Sequence, residues 1–341
     1  GPAVGGIWLM RLATFNLESL DLPPRASRGI EDRIAMLAPE LQRARADIVC
    51  LQEVNGQQVS GETGRTLAAL DLLLAHTPYA DFHRCVSETR PGSGIADVHN
   101  LVTLSRWPIT ATRSLRNTLV PPLRYRPVTA DPAAMEDEAI AFDRPILVAE
   151  IDMGGTSALH VINCHLRAPL ASGIRGQKLA PFVWRSVGGW AEGFCVSSMK
   201  RNAQALELRL AIDAVLRSDP HALIAVAGDF NAEDYESPLR IVAGAEQDTG
   251  NGALAVQSMI VLDRAIDDGR RYSVIHQGRP QMLDHILVSR SLYGHFEAIE
   301  VQNEALADEA VGYARVDRPA GSYHACVVAE FALMTSGRAR S

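Results

Sequence analysis

Residues 222–231 read ALIAVAGDFN, and the change of character inside this stretch decides the fold class. Ala222–Ala227 offers apolar side chains to both faces, the mark of a strand in a sheet covered on both sides. Gly228 then breaks the run, and Asp229 and Asn231 follow. A carboxylate at the end of a buried strand is costly unless it is paired, hydrogen-bonded or bound to a metal. Taken alone, Asp229 and Asn231 make an Asx-turn, which is common after a strand.

The same change recurs along the chain. Leu12–Leu17 and Asp47–Gln52 read as strands that meet Asn16, Glu18 and Glu53. Ala158–Asn163 leads to His165, and Ile146–Ile151 joins it through Gly154-Gly155 as a hairpin. Asn100–Leu104, Met282–Val288 with Asp284, and Ala325–Phe331 behind His324 complete the strands. Apolar residues at helical spacing predict helices over Glu31–Ala44, Arg65–Leu74 and Ser198–Arg217. Segments 113–145 and 168–197 lack periodicity and read as functional loops or disorder. This alternation is α/β, and its polar residues are expected at the C-terminal ends of the strands, where open α/β sheets place their sites.

Composition sets the outer limits. The 341 residues are 47% apolar and 21% charged, as in a globular chain with a substantial core. A net charge of −7 argues against a protein that coats nucleic acid through its phosphates. The five cysteines show no CxxC pattern and read as free thiols in a reducing compartment. No run is long enough to span a membrane and no signal peptide is visible, so the expectation is a cytoplasmic protein, with a monomer taken as the default where the sequence leaves the oligomeric state open. Residues 1–9 are read as lying outside the fold, Gly1-Pro2 resembling a protease remnant, with one domain over 10–333 and a flexible tail over 334–341.

Hard oxygen donors from scattered strand ends suit Mg²⁺, with Mn²⁺ as the other candidate. Two histidines far apart in sequence suit charge developing on a phosphoryl group. In this order, the segments FNLES, DIVCLQEVN, NCHL, RNAQA, GDFN, LDHIL and a final S-x-H resemble the endonuclease/exonuclease/phosphatase superfamily, from about residue 11 to 331. The FNLE opening and the HLRAP step look closest to its bacterial members. The resemblance implies a four-layer α/β sandwich of the DNase I-like kind, two mixed sheets face to face with helices outside. It also implies Mg²⁺-dependent hydrolysis of a phosphoester in a nucleic acid, a nucleotide or a small molecule.

Carried over by position, the resemblance makes Glu53 the principal metal ligand, with Asn16 and Glu18 on the same side. His165 and His324 contact the phosphate, Asp284 orients His324, Asp229 serves the water or the leaving group, and Asn231 orients the phosphate. Arg201 and Gln204 brace the site. The final motif of the superfamily is usually Ser-Asp-His, whereas this chain has Ser322-Tyr323-His324. Either Glu18 and Glu53 suffice for the metal, or its affinity falls, or the protein binds a phosphorylated ligand without efficient turnover. Arg124, Arg126, Arg144 and Arg167 are the candidates for holding substrate, since a guanidinium can bond two phosphate oxygens at once. Trp184 and Trp190 read as anchors for a long loop. His285 reads as packing, and His99 as a loop histidine.

Overall fold

The computed structural model describes residues 7–26, 28–61, 63–155, 157–310 and 320–334. Two six-stranded sheets carry the fold. In chain order their strands are β1 (Ile7–Leu20), β2 (Ile48–Val54), β3 (His83–Val86), β4 (Asn100–Ser105), β5 (Ile109–Leu115), β6 (Ile146–Ile151), β7 (Leu159–His165), β8 (Leu223–Asp229), β9 (Ile260–Val261), β10 (Asp284–Val288), β11 (Phe296–Gln302) and β12 (Cys326–Met334). The first sheet runs β11-β12-β1-β2-β4-β3 and the second β9-β10-β8-β7-β6-β5. Each has one parallel pair at its centre, β1 with β2 and β7 with β8, and antiparallel partners on either side.

Alternation along the strands builds the layers. In β8, Ala225 and Ala227 enter the core between the sheets, while Ile224 and Val226 face the helices. In β12, Val327 and Ala329 point inward, and Cys326 and Val328 pack outward. Helices α1 (Ile30–Ala44) and α2 (Ala68–Leu74) cover the first sheet through Leu37, Leu41, Leu70 and Leu73. Helices α3 (Val187–Ser218) and α4 (Ser237–Ala243) cover the second through Leu208, Ile212, Leu239 and Val242. The result is the expected four-layer sandwich. No helix among the described residues is long and apolar enough to cross a membrane.

Four sequence readings need correction. First, Ile7–Leu9 belongs to β1 and pairs with Ala332–Met334, and Trp8 packs edge-on against Trp107 at 4.9 Å. Met334, read as the start of the tail 334–341, ends β12, while residues 1–6 and 335–341 lie outside the described residues. Second, α2 starts at Ala68, because Arg65–Thr66 is used in a short pairing with Gln57–Gln58. Third, residues 187–197 are helical rather than loop. Gly189 and Gly193 disguise them, but both let a loop pack against the helix: a Cβ at Gly193 would lie 2.2 Å from the carbonyl oxygen of Ser172.

Fourth, segment 113–145 is fixed by two carboxylates of α3. Glu207 accepts the backbone N–H groups of Asn117, Thr118 and Leu119 at 2.6–3.1 Å, and Glu192 accepts those of Val128 and Thr129. Backbone polar groups that lack a sheet ladder find their acceptors here instead. All five cysteines are free thiols.

Candidate active site

At one edge of the sandwich, the polar ends of strands from both sheets converge. Residues Asn16 and Glu53 leave the C-terminal ends of β1 and β2, and His165 and Asp229 those of β7 and β8. Asp284 and His324 depart from the expected placement, since they open or precede β10 and β12. These strands run antiparallel to β8 and β1, so their N-terminal ends reach the same edge.

The backbone leaves regular structure where it delivers these groups. The pairing of β1 with β2 slips between Asn16 and Leu20, a bulge that frees Glu18 and Ser19. Glu18, Ser19, Glu53, His99 and Asn231 all adopt left-handed φ, between +48° and +57°, a conformation that is uncommon outside glycine and that gathers at functional sites. Arg33 of α1 holds the bulge by donating to the carbonyl oxygens of Leu17 and Glu18. In β8, Gly228 permits the close parallel pairing with β7, since a Cβ there would lie 2.0 Å from the carbonyl oxygen of Cys164.

Asn16 ties the two halves together. Its amide Nδ2 donates to Glu53 Oε1 and to Asp229 Oδ2, each at 3.1 Å, and its Oδ1 accepts the Glu18 N–H at 2.9 Å. The other Glu53 oxygen accepts the Ser19 N–H and hydroxyl at 2.9 and 3.0 Å. Burial favours the protonated form of Glu53, but His99, His324, the Asn16 hydrogen bond and Arg144 outweigh it and lower its pKa. The carboxylate is therefore ionised.

The histidines of the phosphate-binding prediction sit on either side of Asp229 in opposite charge states. Arg144 donates to His165 Nδ1, which leaves the proton on Nε2, 3.3 Å from Asp229 Oδ2 and 3.7 Å from Glu53 Oε1. Burial, Arg144, His99 and His324 hold the His165 pKa well below its ordinary value, so the ring is neutral. Burial also opposes charge on His324, but Asp284 and Asp229 raise its pKa well above the ordinary value. His324 Nδ1 bonds Asp284 Oδ2 at 2.8 Å, and Nε2 lies 3.8 Å from Asp229 Oδ2. Burial and the facing Asp284 push Asp229 up to about 7.

Other sequence candidates divide. Asn231 donates its backbone N–H to Asp229 Oδ1 at 2.9 Å and its Nδ2 to the Leu166 carbonyl oxygen at 2.9 Å. The Asx-turn therefore exists within the site. Arg201 donates to the Asn231 carbonyl oxygen at 3.0 Å, and Gln204 Oε1 accepts the Arg167 N–H at 2.8 Å. The Arg167 guanidinium bonds Ser197 and the Leu170 carbonyl oxygen and pairs with Asp143. Glu18 is half-buried, and its charge is among those that raise His324. Tyr323 is 2% exposed, and its neighbour Ser322 donates to the Asn16 carbonyl oxygen at 2.7 Å.

Arg124 and Arg126 are not brought to the site, because Asp137 holds both on an exposed hairpin. His285 packs edge-on against Phe230 at 5.4 Å and is also paired, with Nδ1 3.1 Å from Asp263 Oδ1 and Nε2 2.8 Å from the Ala232 carbonyl oxygen.

His99 lies in a loop, as expected, but the loop brings its ring to the site. Its Nδ1 stands 3.9 Å from Glu53 Oε2, and its ring meets His165 edge-on at 6.1 Å. The ligand atoms of Glu53, His99 and His165 form one compact group, and those of Asp229, Asp284 and His324 a second, each within 4.8 Å. The only signal in the sequence was a polar pair, His99-Asn100, at the start of an apolar strand.

The sandwich and the polar groups gathered at this edge have the arrangement of the DNase I-like class. A family model described as Endonuclease/Exonuclease/phosphatase family matches residues 13–324, and the chain belongs to that family. Among solved structures, it resembles an endonuclease/exonuclease/phosphatase from Beutenbergia cavernae (20% identity, 95% of this chain and 72% of that one, TM-score 0.54). Truncated TDP2 of Caenorhabditis elegans is similar at 14% identity over 96% of this chain and 98% of that one, TM-score 0.56. So is an endonuclease/exonuclease/phosphatase from Bacteroides vulgatus, at 14% over 96% and 100%, TM-score 0.56. At these identities the likeness speaks for the fold. No curated protein matches the sequence.

Proposed function

We propose that the chain hydrolyses a phosphoester by attack of water, with a divalent cation bound on the Glu53 side. The observation that carries this reading is the placement of Asp229 between a neutral histidine donor and an imidazolium. A carboxyl pushed up to about 7 is matched to accepting or returning a proton near neutral pH. His324, held cationic by Asp284, binds a phosphate oxygen and offsets charge developing there. His165 donates through Nε2 to a second oxygen, with Arg144 fixing its tautomer and adding positive charge. Asn231 lines the same wall, braced from behind by Arg201.

The residues present fit a metal. Glu53 is ionised in a largely buried position, and the His99 Nδ1 beside it is buried without a hydrogen-bond partner. Glu53 is the principal ligand, with Asn16 and Glu18 beside it. A bound Mg²⁺ or Mn²⁺ supplies Lewis-acid stabilisation of charge on the phosphoryl oxygens.

The test is a panel of nucleic acids, nucleotides, inositol phosphates and phospholipids, assayed with Mg²⁺ and Mn²⁺ and then with EDTA. Hydrolysis that EDTA abolishes and Glu53→Gln lowers by orders of magnitude supports the reading. A second reading, binding without efficient turnover, rests on the buried Tyr323 where the superfamily usually has aspartate. Binding of phosphate and metal with no turnover across the panel would favour it.

A further inference from the structure

We propose that the cation on the Glu53 side is held through nitrogen as well as oxygen, by the Glu53 carboxylate and His99 Nδ1. The site then selects a first-row transition cation of the Mn²⁺ class over Mg²⁺. The inference rests on the metal-dependent reading above and adds a ligand and a metal preference to it.

Among the three site histidines, His99 alone has a ring nitrogen that is buried and without a hydrogen-bond partner. His324 Nδ1 is taken by Asp284 and His165 Nδ1 by Arg144, whereas His99 Nδ1 is buried and makes no hydrogen bond. Although 35% of the side chain faces solvent, this atom faces Glu53, 3.9 Å from Oε2. Two donors on one ion with bonds of about 2.1 Å stand no more than about 4.2 Å apart, so one cation can reach both.

The backbone sets the direction of the ring. His99 has φ +57°, and its N–H donates to Asn55 Oδ1 at 2.9 Å. Asn55 is fixed in turn by its Nδ2 on Asp21 Oδ2 at 3.0 Å. A strained residue held by a two-step polar relay, with an unpartnered nitrogen aimed at a carboxylate, is built as a ligand rather than left over from loop closure.

His165 does not compete for the role. Arg144 occupies its Nδ1, so Nε2 carries the proton and has no lone pair for a metal. Imidazole nitrogen binds Fe²⁺ to Zn²⁺ best and Mn²⁺, the weakest of the first-row series, less strongly, while Mg²⁺ prefers oxygen and carboxylate charge. His99 adds a neutral nitrogen donor beside the Glu53 carboxylate, which moves the preference away from Mg²⁺.

The probe is Mn²⁺ bound to the full chain, followed by pulsed electron paramagnetic resonance for ¹⁴N modulation. Wild type is expected to show imidazole nitrogen coupled to the metal. His99→Gln should lose it and His165→Gln should keep it. Competition titration should show His99→Gln weakening Mn²⁺ by roughly 10–100-fold, with Mg²⁺ changed far less. Bound Mn²⁺ without nitrogen coupling in wild type overturns the proposal and needs no variant to do so. In that case EDTA-sensitive hydrolysis lost in Glu53→Gln leaves the functional reading standing. Failure of Mn²⁺ to bind, with hydrolysis indifferent to EDTA, overturns both.

Discussion

His324 Nδ1 lies 2.8 Å from Asp284 Oδ2, while the opposite nitrogen of the same ring turns to within 3.8 Å of Asp229 Oδ2. One imidazole is thus fixed by one carboxylate and presented beside another. Asp284→Asn should lower kcat by about 10²–10⁴-fold with a smaller change in KM. The double variant with His324→Ala should be little worse than the poorer single, because the two residues act as a unit. Steady-state kinetics on the four proteins measure this, and additive losses would show that Asp284 acts independently of His324.

Arg144 donates to His165 Nδ1 and carries positive charge into the same wall. Arg144→Gln should cut kcat/KM by about 10²-fold or more, the scale of one lost charged group in a buried network. Arg144→Lys should recover little of it, since an ammonium lacks the planar fork. Full recovery by lysine would reduce the role to charge alone.

At position 323 a buried phenol stands where the superfamily usually has a carboxylate. Tyr323→Asp should lower the Mg²⁺ concentration needed for half-maximal activity, by roughly tenfold. An unchanged Mg²⁺ requirement in a folded variant would show that charge at 323 does not reach the metal.

The Asp263–His285 pair should make stability depend on pH. Burial opposes charge on His285, but Asp263 and the Ala232 carbonyl raise its pKa to about 9 from 6.5. The bound proton therefore stabilises the fold fully below about pH 6.5, and that contribution is lost as pH rises through 9. A rise of this size corresponds to roughly 3 kcal/mol. The unfolding temperature of wild type should fall across that window, and His285→Gln should flatten the dependence. Equal slopes in the two proteins would assign the effect to other groups.

Much of this was legible in the sequence, for a physical reason. Buried strands must be apolar, so Asp229 after Ala222–Ala227 and Glu53 after Asp47–Gln52 stood out as costs needing explanation. Helix α1 announced itself by spacing. His99 did not, because its role depends on a left-handed turn and on Asn55, 44 residues earlier. Arg144 could be named as a candidate from its chemistry, but its bond to His165 comes from the hairpin that folds β6 against β7. The start of α3 was hidden because its glycines serve packing against another segment rather than helix propensity. Arg124 and Arg126 misled because an arginine-rich run looks the same whether it faces phosphate or Asp137.

The order of the first sheet has a consequence for synthesis on the ribosome. Strand β12, the last of the described strands, lies between β11 and β1, and His324 stands just before it. Ser322 bonds the Asn16 carbonyl oxygen across 306 residues of sequence. A nascent chain that has emerged only as far as β11 thus lacks both the strand that seals β1 and the imidazolium of the site. Under the proposed function, a fragment that ends before Ser322 has neither β12 nor His324, and its hydrolysis is expected to be absent.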